Sequence, residues 1–74
     1  MKKIHIVCKK KKDDAIRLAR KIIDEFGKNN DIYLDEESAR FIRYEKQIEI
    51  EHIGKNANFI IVLGGDGTLL SVAR

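Results

Sequence analysis

The sequence predicts an α/β layer fold with a mostly parallel sheet, incomplete in this chain. Three observations predict it. Residues 4–8 and 59–63 form short apolar runs without acidic or basic charge, the pattern of strands covered on both faces. Between them lies a segment whose apolar residues recur at three- and four-residue steps, the signature of an amphipathic helix. Taken along the chain, the elements alternate strand–helix–strand–helix–strand–helix, which layers helices on parallel strands. Seventy-four residues and 8.5 kDa hold one small domain.

Ile4, His5, Ile6, Val7 and Cys8 make the first strand, and the run Lys9, Lys10, Lys11, Lys12 then carries the chain into water. Asp13 or Asp14 suits the N-cap of the next helix, where a carboxylate meets the positive end of the dipole. Ala15, Ile16, Ala19, Ile22, Ile23 and Phe26 give that helix its apolar stripe, and Gly27 stands where a left-handed C-cap is expected. Lys28, Asn29, Asn30 and Asp31 are turn residues, followed by a second strand at Ile32, Tyr33 and Leu34. Asp35, Glu36 and Glu37 read as the acidic first turn of a short helix. Beyond it Ile48, Glu49, Ile50 and Glu51 alternate as an extended segment, and residues 54–58 are a loop. Phe59, Ile60, Ile61, Val62 and Leu63 form the clearest strand, expected to be central. Leu69, Leu70, Val72 and Ala73 return to helical spacing. That helix is cut at Arg74 about two turns in. A doubly wound sheet normally continues past such a point, so the chain is expected to be the first part of a larger protein.

Composition narrows the function classes. The residues are 43% hydrophobic and 36% charged, with a mean hydropathy of −0.36, too apolar for a disordered tail. The longest apolar run falls far short of the ~20 residues of a membrane span, and the lysine-rich N-terminus lacks a signal-peptide apolar region. One cysteine forms neither an internal disulfide nor a multi-cysteine zinc cluster, which fits a reducing compartment. The expected protein is soluble and cytoplasmic. Its net charge of +3 is small and interleaved, and Tyr33, Phe41 and Tyr44 make no stacking platform, so neither nucleic acid nor membrane is an expected partner.

The chemistry concentrates in Leu63-Gly64-Gly65-Asp66-Gly67-Thr68. Glycines at a strand-to-helix junction take positive φ and let a ligand approach the backbone. Their N–H groups, with those opening the next helix, form a nest for anionic oxygens, placed where open α/β sheets bind ligands. A carboxylate among phosphates makes sense if Asp66 takes a proton from an attacking hydroxyl or helps hold the Mg²⁺ that escorts ATP. The spacing is neither a Walker A loop nor the dinucleotide Gly-x-Gly-x-x-Gly. The competing reading is structural: Asp66-Gly67 between apolar runs is also a hairpin-turn signal.

The run Leu-Gly-Gly-Asp-Gly-Thr-Leu-Leu at 63–70, preceded by Phe-Ile-Ile-Val, resembles the signature of the ATP-dependent NAD kinases. Lys2-Lys3-Ile4-His5-Ile6-Val7, a helix, and then Ile32-Tyr33-Leu34-Asp35-Glu36-Glu37 resemble the opening of those enzymes. Diacylglycerol- and sphingosine-type lipid kinases share Gly-Gly-Asp-Gly-Thr, and phosphofructokinases carry a near variant. The lipid kinases usually follow it closely with Asn-Glu, whereas Leu69-Leu70-Ser71 follows here, favouring NAD kinase over a lipid-kinase piece or a non-catalytic nucleotide-binding or interaction module.

The resemblance implies a Rossmann-like, phosphofructokinase-like fold, with residues 1–74 the N-terminal α/β part of the catalytic domain. It implies transfer of the γ-phosphate of ATP, or of polyphosphate, to the 2′-hydroxyl of NAD, with Mg²⁺ accompanying ATP. Asp66 is implied as the catalytic aspartate, with Gly67 beside it in the NAD site and Leu70 an apolar wall of that pocket. Gly64 and Gly65 are implied to face the phosphoryl donor, and Thr68 to cap the following helix or touch phosphate. No metal-ligating residue is assigned. Ser71 stands where many family members carry a basic residue. The family's later Asn-Asp or Asn-Glu pair and its C-terminal β-rich domain are absent from these residues, so the 74-residue chain alone is expected to be inactive. An open sheet edge and uncovered apolar faces predict a homo-oligomer.

Other residues read as structural. Lys9, Lys10, Lys11 and Lys12 share the sheet edge of Asp66 but form a solvated loop. His5 reads as a satisfied histidine within a strand, His52 as a surface residue, and Cys8 as a small buried apolar group.

Overall fold

The computed structural model describes residues 1–9, 13–65 and 67–72. In order these form β1 (Lys3–Cys8), α1 (Asp13–Phe26), β2 (Asp31–Asp35), α2 (Glu36–Ile42), β3 (Gln47–Ile48), a 3-10 turn (Ile50–His52), β4 (Phe59–Gly65) and β5 (Gly67–Val72). They build a five-stranded sheet of order β3-β2-β1-β4-β5. Strands β3, β2, β1 and β4 run parallel, and β5 returns antiparallel to β4. The α/β layering and the mostly parallel sheet stand as the sequence predicts, and the sheet is not closed. No helix among the described residues is long and apolar enough to cross a membrane.

Alternation within the strands sets the core. Ile6 and Cys8 of β1, Ile32 and Leu34 of β2, and Leu63 of β4 are buried together with Ala15 and Ala19 of α1 and Ala39 of α2. Ile6 holds the middle, in register with Leu34 on one side and Ile61 on the other. Alanines at the buried positions of both helices keep the helices close to the sheet, while Ile22 and Ile23 pack at the margin. Phe26 ends α1 half exposed, so the apolar stripe overruns the core by one residue.

Gly27 differs from its expected left-handed cap. It is not among the positive-φ residues, and its N–H donates to the Ile23 carbonyl at 2.8 Å, continuing the helical pattern. A Cβ there would lie 2.5 Å from that carbonyl oxygen, so glycine is required by close approach instead of handedness. Asn30 then fastens the turn, its Nδ2 donating to Phe26 O at 3.1 Å and its Oδ1 accepting from Lys2 N at 3.1 Å.

α2 begins as its acidic first turn predicts, with Asp35 as N-cap, and ends at Arg43 in the left-handed region at φ 55°. The Tyr44 hydroxyl donates to Ile32 O at 2.7 Å, tying this exit to β2. The extended segment expected around Ile48, Glu49, Ile50 and Glu51 is shorter than its alternation suggests. Only Gln47 and Ile48 pair, opposite Leu34 and Asp35, because β2 ends there; Ile50 to His52 then turns as 3-10 helix.

The helix expected from Leu69, Leu70, Val72 and Ala73 is corrected by the structure. Gly67–Val72 is strand β5, with Leu70 opposite Ile61, Leu69 opposite Val62, and Val72 opposite Phe59. Ala73 lies outside the described residues. Two forces favour the strand: the outer edge of β4 carries N–H and C=O groups that need partners, and Asp66-Gly67 is turn chemistry. Six residues with β-branched Thr68 and Val72 fit that edge as readily as a helix.

His5 is a satisfied histidine, as its sequence context predicts. It is buried, its Nδ1 accepts from Gly54 N–H at 3.0 Å, and its ring meets Tyr33 edge-on at 5.8 Å. Burial lowers its pKa below the ordinary 6.5, Lys3 adds to the shift, and Asp31 opposes it. The folded protein therefore binds this proton more weakly than the unfolded chain. Stability is expected to be full above pH 6.5 and to decline as the pH falls below it toward the folded value. Urea midpoints measured across that range, with His5→Gln flattening the decline, check this; an unchanged slope in the variant would assign the decline to other groups.

Candidate functional site

Parallel strands end together, so Cys8, Asp35 and Gly65 bring β1, β2 and β4 to one rim of the sheet. The Lys9 N–H donates to Leu63 O at 2.9 Å, which sets the first lysine of the basic run beside the first glycine of the motif. Lys10, Lys11 and Lys12 lie outside the described residues. The shared edge expected for the lysines and the motif is thus seen at Lys9.

Leu63, 1% exposed, anchors the end of β4 in the core. Immediately after it Gly64 takes φ 84°, a conformation open to glycine and strained for other residues. The β4–β5 ladder shifts register between Val62 and Gly65, and Gly65 then faces Gly67. Asp66, the implied catalytic aspartate, lies outside the described residues. Its two sequence neighbours are that facing pair, at the carboxyl rim of the parallel strands.

The implied site residues fall on two paired strands. Gly64 and Gly65 belong to β4; Gly67, Thr68 and Leu70 belong to β5. Thr68 therefore has no following helix to cap among the described residues, and the nest expected from glycine and helix-opening amides lacks its helical half. The physical reason is the β5 pairing: backbone groups expected to open a helix enter the ladder with β4 instead.

One residue at this rim, read from the sequence only as part of a helix's acidic first turn, does more. Asp35 is 3% exposed, with Oδ1 accepting from Cys8 N–H at 3.0 Å and Oδ2 accepting from Ser38 N–H at 3.2 Å. The signal was present: an aspartate directly after a strand and before a helix occupies the N-cap, three residues ahead of the amide it caps. Beside it a cavity of about 180 Å³ is lined by Asp35, Glu36, Glu37, Arg40 and Ile50. Among the described residues no three His, Cys, Asp or Glu side chains are grouped to hold a metal ion. They offer no all-protein cage for Mg²⁺, which ordinarily keeps its waters and travels on nucleotide phosphates.

An open, mostly parallel sheet with a glycine-rich turn at its carboxyl rim defines an α/β protein of the kind that binds ligands at the ends of its strands. Along nearly its whole length the chain is similar to curated NAD kinases. It is 44% identical over 66 residues to the NAD kinase of Saccharophagus degradans, covering 84% of this chain and 22% of that protein. With the NAD kinase of Thermoplasma acidophilum it shares 40% identity over 68 residues, 92% of this chain and 24% of the relative. With that of Chloroherpeton thalassium the identity is 35% over 73 residues, 97% of this chain and 26% of the relative. The chain thus spans about a quarter of the length of the curated relatives it matches. No family model and no solved structure matches it.

Proposed function

We propose that residues 1–74 are the N-terminal α/β part of the catalytic domain of an NAD kinase, which phosphorylates the 2′-hydroxyl of NAD with ATP or polyphosphate as donor. The observation that carries this reading is the likeness to NAD kinases along nearly the whole chain, 84% to 97% of it in the three relatives above. Gly64, Gly65 and Gly67 at the carboxyl rim, with Asp66 between them in the sequence, support it. In this reaction the 2′-oxygen bonds to the γ-phosphorus, the bond from that phosphorus to the β,γ-bridging oxygen breaks, and ADP leaves. Asp66 accepts the hydroxyl proton as the new bond forms. The transition state is loose, so positioning and charge stabilisation supply most of the catalysis. Gly64 and Gly65 line the donor side, Gly67 and Leu70 the NAD side, and the Thr68 hydroxyl touches phosphate, a role supported by its place in strand β5. Mg²⁺ enters with ATP as part of the substrate, the protein acts in the cytoplasm, and copies associate into a homo-oligomer.

The test is NADP formation by the complete gene product from NAD and ATP, with polyphosphate as alternative donor and diacylglycerol as alternative acceptor. NADP formation is expected, with no turnover of diacylglycerol and none of NAD by the 74-residue chain alone. Phosphorylation of diacylglycerol without NADP would overturn the reading.

A further inference from the structure

We propose that Asp35 is a positioning residue for the glycine-rich loop, holding it through β1. The inference rests on the kinase reading only for its catalytic readout. In doubly wound folds an acidic residue beyond the second strand commonly meets ligand hydroxyls. Here the side chain is buried and each carboxylate oxygen accepts from a backbone N–H, one in β1 and one in α2, so the carboxylate ties two elements together.

The ladder geometry shows what the carboxylate replaces. β1 and β2 are paired as far as Ile6 and Leu34, while β1 and β4 stay paired to Cys8 and Leu63. The last residues of β1 therefore have a backbone partner on the β4 side and not on the β2 side. Asp35 Oδ1 fills that gap by accepting the Cys8 N–H, and Oδ2 ties the same carboxylate to the start of α2 through Ser38 N–H. The next amide, Lys9 N–H, points the other way and donates to Leu63 O. One buried carboxylate thus fixes the strand end whose following bond holds the residue before Gly64. Charge-assisted hydrogen bonds of this type are stronger than neutral ones, and unmaking them leaves buried amides unsatisfied. Strands lie about 4.8 Å apart, so the end of β2 is roughly 10 Å from β4, and among the described residues Asp35 connects to the loop through β1.

The test compares Asp35→Ala and Asp35→Asn, the second retaining one acceptor oxygen. In the complete gene product, kcat per folded molecule is expected to fall about 10-fold to 100-fold in Asp35→Ala, the scale of a small misplacement of reacting groups. KM for NAD should stay within about threefold, and Asp35→Asn should recover part of the loss. A raised KM with unchanged kcat would mean that Asp35 binds substrate directly, and an unchanged kcat that the loop does not depend on it; either overturns the proposal. Amide hydrogen exchange gives a readout independent of the kinase reading. In Asp35→Asn, exchange is expected to rise at Cys8 and Ser38 and also at Lys9 and Gly64. A rise confined to Cys8 and Ser38 would overturn the proposal even if the protein makes no NADP. An exchange profile unchanged from wild type in Asp35→Asn, together with a wild type that forms no NADP, would overturn both readings.

Discussion

Asp66→Asn in the complete gene product is expected to lower kcat for NADP formation by 10²- to 10⁴-fold, the range for a lost general base. At 1.36 kcal/mol per tenfold this is ~3 to 5 kcal/mol of transition-state stabilisation. The amide has nearly the carboxylate's shape, so the substitution removes the negative charge and the capacity to take a proton while adding no bulk. KM for ATP and NAD should therefore move little, separating a chemical defect from a binding one. An ordinary aspartate has a pKa of about 3.9 and is a weak base toward an alcohol. On the proposed mechanism it would suffice, because the hydroxyl acidifies as its oxygen bonds to phosphorus and the transfer comes late. Steady-state rates with saturating ATP and NAD decide the matter: residual turnover within about threefold of wild type would remove Asp66 from the chemistry.

The second large effect is on stability. Ile6→Ala should cost about 2–5 kcal/mol, the loss of buried transfer energy plus the cavity left behind. A chain of this size carries roughly 0.05–0.15 kcal/mol of stability per residue, so the substitution removes a large share of the total. Ile6 has this weight because its strand is paired on both sides and its side chain is wholly buried among β2, β4 and α1 residues. Ile50, 65% exposed, is the control: Ile50→Ala should change stability by no more than about 0.5 kcal/mol. Urea unfolding midpoints compare the two, and equal costs would mean that the core does not centre on β1.

The parts of the fold legible in the sequence are those in which a pattern repeats long enough to exclude its rivals. The stripe from Ala15 to Phe26 runs over several turns, and Phe59 to Leu63 is an uncharged β-branched run; both elements appear where expected. Leu69, Leu70, Val72 and Ala73 are too few to separate a helical period from a strand's, and the decision passed to the open side of the preceding strand, β4. Ile48, Glu49, Ile50 and Glu51 alternate convincingly, yet pairing stopped where β2 ran out of residues. At the site, the Gly64 conformation and the meeting of Lys9 with Leu63 follow from a glycine motif and parallel strands. Asp35 was readable as an acidic residue before a helix, but its second bond, to Cys8, spans 27 positions and belongs to tertiary structure alone.

The order β3-β2-β1-β4-β5 places the earliest-made strand in the middle. On a ribosome, β1, α1 and β2 emerge as a contiguous unit that can close first, while the other flank of β1 waits for a strand encoded more than fifty positions later, as the Lys3 to Asn58 bond across 55 positions illustrates. High contact order of this kind slows folding, and an unfilled strand flank is an invitation to wrong partners during the delay. Nascent-chain length should therefore gate the last step: arrested chains ending before Phe59 remain open on that flank, and those that include Gly65 can close it.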